Sequence, residues 1–455
     1  MPDLDALNQR LREFKAASDN LELQPLLTKE DLARFWVEYQ VELIDELEQA
    51  VEDCTPQNNK IVFTGHRGCG KSTLLAEFRD RMSETGQYFV VQFSIADAIE
   101  AAGVDNVNIL FTTALSLLEA AEKDKEVKIK PGTKKELYRW LGSHTRTETQ
   151  NVEAGIEASG GAGFNLPAII AKFFLESKAN LKANAIVREE ITTKFNRQIS
   201  ELIGKLNEIK AYIETATKKQ VLVIIDDLDK LDISVTESIF SKNIQPLLQP
   251  SFRMIYTIPI TTLREVSIKR NIESNVKKIY AMRVTKFFSK AQVRKVDRIP
   301  DPACMALFRE IVERRISQDL IEPTIVEEII LKSGGVLREL VRILDLCCDR
   351  CMQEVRRQIK KADFQKPLVI INQAILDMVL NDIQIQYAEP LGRVDFTRLK
   401  QVYEQLELDD VENQRILDLF HGLYILEYRN QVLWYDLNPI VADLLILKGV
   451  ISAAS

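Results

Sequence analysis

The stretch that most narrows what this chain can fold into is KIVFTGHRGCGKSTLL, residues 60–75. Ile61 to Thr64 reads as a short buried strand, Gly65 to Gly70 as a turn, and the residues from Lys71 onward as a helix. Gly65-His66-Arg67-Gly68-Cys69-Gly70-Lys71-Ser72 therefore carries the G-x-x-x-x-G-K-[ST] spacing in the strand, loop and helix order that gives the motif meaning. Glycine is scarce in the chain, 17 in 455 residues, yet three fall within these six positions. That concentration argues for a phosphate cradle over an ordinary turn. Gly65 and Gly70 let successive backbone N–H groups converge on a phosphate, and the helix beginning near Lys71 aims its positive end at the same point. Lys71 would bridge the β- and γ-phosphates, Ser72 would ligate Mg²⁺, and Thr73 would lie beside the α-phosphate.

A phosphate loop needs a second strand that delivers an acid to the metal, and VLVIIDDLDK, residues 221–230, supplies one. Five apolar residues run into three carboxylates. Asp226 is placed to serve Mg²⁺, and Asp227, one residue on, to polarise a water for attack on the γ-phosphate. Asp229, with Asp232, lies before Ser234-Val235-Thr236-Glu237, a helix-start signal, so it reads as a solvated or capping residue.

Together GHRGCGKST and IIDDLDK resemble P-loop ATPases of the AAA+ and STAND classes, and DDLDK is similar to the acidic motif of KAP-type bacterial ATPases. The resemblance implies ATP and Mg²⁺ as cofactors. It also implies a sensor at the end of the next strand, Phe252 to Ile260, where Thr257 is the first choice and Tyr256 the second. Arg264 or Arg270 would then be the finger that completes a neighbour's site in a homo-oligomer. Arg338, in SGGVLREL, matches the sensor 2 arrangement of replication-initiator ATPases, on a helix of a lid. Two departures qualify the likeness. Asp227 stands where AAA+ hydrolases usually carry Glu, which predicts slow turnover. Lys71 and Asp226 lie 155 positions apart, which predicts an insertion of about a hundred residues.

The expected fold class is α/β: a parallel P-loop sheet with a helical insertion, an all-α lid and a winged-helix-like C-terminal domain. The boundaries expected are an N-terminal helical segment 1–55, a core 56–300 with the insertion at 98–220, a lid 301–362 and a C-terminal domain 363–455. Within the insertion, Val152, Ala154, Ile156 and Ala158 alternate up to Gly160-Gly161, which predicts a short hairpin or a flexible loop. PAIIAKFFL, residues 167–175, is too short to span a bilayer and carries Lys172. Contact with an oligomer or another partner is the insertion's expected task, and Phe173, Phe174 and the nearby lysines allow contact with a membrane surface. The C-terminal pattern gives three short helices and then two β-rich arms meeting at Arg429-Asn430-Gln431, a hairpin whose Tyr424, Tyr428, Trp434 and Tyr435 read as core and cross-strand pairs, with a contact surface as the alternative.

Charge bears on the partner. The chain sums to −7, but residues 251–300 hold twelve Lys/Arg against three Asp/Glu, a basic strip on an acidic body. The strip makes DNA a candidate ligand. From Leu391 onward six Lys/Arg face ten Asp/Glu, so the winged-helix-like region suits a protein partner better, because phosphate contacts dominate DNA affinity. No long apolar span is present, the N-terminus carries carboxylates, and three of the six cysteines, Cys347, Cys348 and Cys351, crowd into one helical pattern as buried thiols. A cytoplasmic protein is expected. The absence of Asn-Lys-x-Asp disfavours GTP. These readings predict a slowly hydrolysing ATP switch that regulates an effector on another chain, in bacterial signalling or phage defence by resemblance. The rival class is a DNA-binding initiator or loader, and a third reading is a non-hydrolysing scaffold.

Overall fold

The computed structural model describes residues 3–157, 165–276, 278–362, 367–409, 413–430 and 432–452. They fall into two compact bodies. One comprises Met1–Val41, Gly65–Leu74 and Met282–Ser455; the other comprises Glu42–Thr64 and Leu75–Ala281.

The second body is built on a five-stranded sheet, as the motifs imply. Its strands are β1 (Lys60–Gly65), β2 (Tyr88–Ser94), β3 (Gln220–Asp226), β4 (Arg253–Pro259) and β5 (Ile279–Met282), in the order β2-β3-β4-β1-β5. β3 pairs in parallel with β2 (Ser94 opposite Asp226) and with β4 (Ile225 opposite Tyr256). From Val221 to Ile225 no residue is more than 1% exposed. That is why this run is apolar at every position and not at alternate ones: both faces of a central parallel strand are covered.

Among the described residues, six helices of eight residues or more fill the interval between β2 and β3: Asn106–Lys123, Pro131–Thr145, Gln150–Glu157, Leu166–Ala183, Ala185–Arg197 and Ile199–Thr217. Their apolar faces share one core with the sheet, including Phe111, Tyr138, Phe174, Phe195 and Leu206. Phe173 and Phe174 are 2% exposed, so they pack in this core and present no membrane-facing surface. A polar network pins the start of the insertion. Asp105 caps its first helix, and the Asn108 side chain donates to the Gly103 carbonyl and to Thr192. The expected hairpin or loop near Val152 is instead the helix Gln150–Glu157. Val152 and Ile156 are four apart, a spacing that puts both on one helical face, and both are buried against the neighbouring helices. The rest of that expectation, Ala158 and Gly160-Gly161, lies outside the described residues.

In the first body, Leu4–Asp19 packs along the 25-residue helix Leu337–Lys361, with Ser18 donating to Asp345. Cys347, Cys348 and Cys351 are buried on that helix, and burial pushes each thiol well above its ordinary value. They are inert core thiols. Helices Pro302–Glu313 and Pro323–Lys332 precede it. The C-terminal segment then gives Gln373–Ala388, Arg393–Gln405 and Gln414–His421, the antiparallel hairpin β6 (Ile425–Asn430) and β7 (Val432–Leu437), and a last helix Pro439–Leu447. Tyr428 stacks on Trp434 across the hairpin, ring centres 4.6 Å apart and both rings buried, so these aromatics are a cross-strand pair. No helix among the described residues is long and apolar enough to cross a membrane.

Candidate functional site

The phosphate-loop residues sit at the C-terminal end of β1, where chain and dipole geometry favour an anion. Gly68 and Gly70 have φ of +80° and +99°, backbone that only glycine adopts without strain. Space is short as well. A Cβ on Gly68 would stand 2.7 Å from Arg338 Cβ, and one on Gly70 would stand 2.9 Å from Leu337 Cδ1. Lys71 is 5% exposed, and its ammonium donates to the carbonyls of Gly65 (2.9 Å) and His66 (2.7 Å), so it lies folded back along the inside of the loop. Ser72 is half-buried at the start of the helix Lys71–Glu84, Thr73 Oγ1 accepts from the Leu26 N–H (3.1 Å), Cys69 is buried and Arg67 is exposed.

The loop is gripped from two sides within the first body. The Arg338 N–H, at the start of Leu337–Lys361, donates to the Gly68 carbonyl at 3.0 Å. On the other side, the Glu427 N–H of β6 donates to His66 Nε2 at 2.8 Å, and the His66 ring lies 4.6 Å from that of Phe420. The Glu427 bond makes Nε2 the acceptor nitrogen. His66 is 1% exposed. Its link to Glu427 joins residues 361 positions apart and had no local signal in the sequence.

The carboxylates lie in the second body. Asp226, Asp227 and Asp229 bring carboxylate oxygens within 4.8 Å of one another, the metal-capable grouping found among the described residues. Asp226 is 5% exposed, and its Oδ1 accepts the Asp227 N–H at 2.8 Å. Asp227 itself has φ +67°, uncommon for a residue with a side chain. Thr257, fully buried on β4, steadies this turn: Oγ1 accepts the Leu228 N–H at 3.1 Å and donates to the Ile225 carbonyl at 3.3 Å. Tyr256 is buried in the core and donates to the Leu247 carbonyl at 2.7 Å; burial pushes its phenol well above the usual range. Arg264 is half-buried and Arg270 is exposed.

Much of the basic strip is already engaged. Arg294 forms an ion pair with Asp436, donates to the Tyr403 carbonyl and lies 3.6 Å from the Tyr403 ring centre. Lys290 pairs with Glu407, Lys278 with Glu46 and Lys269 with Glu273, while Arg253 donates to the Val51 carbonyl. Residue counting could not reveal these ties, because most partners lie far away in sequence. Lys295 is among the strip's exposed cations.

A glycine-bent loop between a sheet strand and a helix, with acids at the end of a central strand, defines a P-loop nucleotide-binding domain. The chain belongs to the KAP family: the family's P-loop domain matches residues 42–291, more than half of the chain. No curated protein matches it. Among solved structures it is similar to the Walker-type ATPase PABY2304 of Pyrococcus abyssi (14% identity, TM-score 0.42, covering 94% of this chain and 99% of that one). It is also similar to Cdc6p from Pyrobaculum aerophilum (9% identity, TM-score 0.40, 95% and 97%) and to the Orc1 protein of Aeropyrum pernix in complex with DNA (11% identity, TM-score 0.35, 93% and 96%). The family assignment rests on the domain match alone. A P-loop domain implies a nucleotide and, as a rule, Mg²⁺, and the residues fit both. The loop presents a buried lysine and glycines packed too closely for side chains, and Asp226 offers a hard carboxylate oxygen within a group of three acids.

Proposed function

We propose that this chain binds Mg-ATP through residues 65–73, hydrolyses it slowly, and uses the nucleotide state as a switch read by its lid and C-terminal module. The observation that carries this reading is the grip on the loop. Gly68 is bonded to the lid helix through Arg338, and His66 to β6 through Glu427. A loop that reshapes itself around a phosphate cannot leave both bonds unchanged. Lys71 would turn from the Gly65 and His66 carbonyls to the phosphates, Ser72 and Asp226 would hold the metal, and Asp227 would take the proton of the attacking water. When bound, Mg²⁺ would offset charge developing on the phosphates. Thr257 would act through the Asp226–Asp227 turn it holds, and Arg338 would report the γ-phosphate. The division into a helical segment 1–55, core 56–300 with insertion 98–220, lid 301–362 and a winged-helix-like domain 363–455 belongs to the same proposal.

The output would be a partner protein on another chain, with nucleotide-dependent self-association through Arg264 or Arg270 as the route to cooperativity. The net acidic C-terminal region supports a protein partner over a nucleic acid. ATP turnover by the intact chain tests the proposal: Asp227→Asn should retain nucleotide binding and lose turnover, and Lys71→Ala should lose both. Equal rates in wild type and Asp227→Asn would refute it.

A second reading, a DNA-binding initiator or loader, is favoured by one observation, the order of three helices and then a hairpin in the C-terminal segment. Lys295→Glu is the variant to use, since Arg294 is bound to Asp436 and Tyr403. Salt-dependent DNA binding that this change weakens would support the loader. No binding at low salt would remove it.

A further inference from the structure

Asp227 is held at both its backbone and its carboxylate. Its backbone is left-handed, with φ +67°, a conformation that costs a residue with a side chain roughly 1–2 kcal/mol and persists only when the surroundings over-determine it. Five contacts do so. The Asp227 N–H donates to Asp226 Oδ1, the Asp227 carbonyl accepts the Lys230 N–H at 3.1 Å, and the next N–H, that of Leu228, is taken by Thr257. The last two contacts fall on the carboxylate itself. Ser94 Oγ, at the end of β2, donates to Oδ2 at 2.6 Å, and the Lys230 ammonium pairs with Oδ1 at 2.7 Å. Each carboxylate oxygen therefore carries a donor. Ser94 sits on a strand and its reach is fixed by the register that sets it opposite Asp226. Lys230 differs: its side chain is 46% exposed against 13% for Asp227, on a four-carbon stem that solvent can draw away.

We propose that Lys230 is a positioning residue that restrains hydrolysis, by holding Oδ1 of Asp227 in an ion pair that must open before the carboxylate accepts the water's proton. The inference rests on the hydrolytic reading of Asp227 and deepens it. An oxygen that already holds an ammonium at 2.7 Å leaves no room on that side for the water, so the pair has to open before the water can reach it. The shorter side chain of Asp leaves little freedom to meet the water with the other oxygen, which Ser94 occupies. The slow turnover expected from the missing methylene thus acquires a second, removable cause. Asp229, one residue before Lys230, belongs to the same carboxylate group.

The test is ATP turnover at saturating Mg-ATP by the intact chain carrying Lys230→Met, Lys230→Arg or Asp227→Asn, with KM measured alongside kcat. An exposed ion pair is weak, so Lys230→Met should raise kcat by about two- to fivefold and leave KM unchanged. Lys230→Arg, which keeps a cation over Oδ1, should stay near the wild-type rate. Salt supplies the readout that a purely structural role would not move: screening weakens the pair in wild type, so the gap between wild type and Lys230→Met should close as ionic strength rises. If Lys230→Met turns over at or below the wild-type rate while Asp227→Asn is inactive, the restraint is overturned and the hydrolytic reading stands. If Asp227→Asn hydrolyses ATP as fast as wild type, the hydrolytic reading falls and takes this inference with it.

Discussion

Replacing Thr257 by Val removes one hydroxyl and changes the side-chain volume little, so it isolates what that hydroxyl does. Thr257 Oγ1 takes the Leu228 N–H and gives its proton to the Ile225 carbonyl, and both Thr257 and Leu228 are fully buried. In Thr257→Val the Leu228 N–H is left without its acceptor where water cannot replace it. An unsatisfied buried donor costs about 1–3 kcal/mol. About 2 kcal/mol would speed hydrogen exchange at the Leu228 amide roughly thirtyfold, because the turn opens that much more often. The same loosening reaches catalysis through Asp227, whose left-handed backbone depends on its neighbours to persist. If the full amount were lost from the transition state, kcat would fall by about thirtyfold, which is the ceiling for this route. Thr257→Ser is the control. It keeps the hydroxyl and loses a methyl worth about 1 kcal/mol of packing, so it should leave kcat within about twofold of wild type. Hydrogen exchange resolved to single amides, with kcat measured on the same preparations, decides the matter. Unchanged exchange and unchanged kcat in Thr257→Val would refute the reasoning, and so would equal losses of kcat in the Ser and Val variants.

Gly68→Ala should weaken Mg-ATP binding at least tenfold by equilibrium titration, because an alanine is strained at φ +80° and its methyl would meet Arg338 Cβ at 2.7 Å. Lys60 carries a pH signature. Burial lowers it from 10.5 to about 7, although it donates to Asn59 Oδ1 and to the carbonyls of Pro250 (2.7 Å) and Phe252 (3.0 Å). Between about pH 7 and 10.5 the unfolded chain holds the lysine proton that the folded chain has released, so stability should rise with pH across that window. A urea midpoint that climbs from pH 7 to 9 in wild type, and climbs less in Lys60→Met, is the expected result.

Much of this architecture was legible in the sequence. The loop motif and the apolar run before Asp226 required a parallel sheet, and the spacing between Lys71 and Asp226 required an insertion. The insertion is helical, as expected, and the C-terminal hairpin followed from its two β-rich arms. Val152 to Ile156 was misread because residues two and four apart satisfy strand and helix patterns alike over so short a window. The rest depended on contacts that sequence order hides. Arg294 counts as one more positive charge until Asp436, 142 positions on, is seen to neutralise it. His66 is an unspecified position of the loop motif until β6 presents a backbone N–H to it. Asp227 signals nothing of its left-handed backbone, because local propensity disfavours that conformation and the tertiary contacts of Thr257 and Ser94, with the local pair to Lys230, make it tolerable.

The central claim is that nucleotide at the loop is felt by the lid and by the C-terminal hairpin. Two amides report on it directly: Arg338, bonded to the Gly68 carbonyl, and Glu427, bonded to His66. Hydrogen exchange at these two amides should be compared with and without saturating Mg-ATP, in Asp227→Asn to block turnover and in Lys71→Ala to block binding. The account predicts that exchange at both amides changes by tenfold or more when Asp227→Asn is loaded, and stays constant in Lys71→Ala. Saturated nucleotide with unchanged exchange at Arg338 and Glu427 would contradict it.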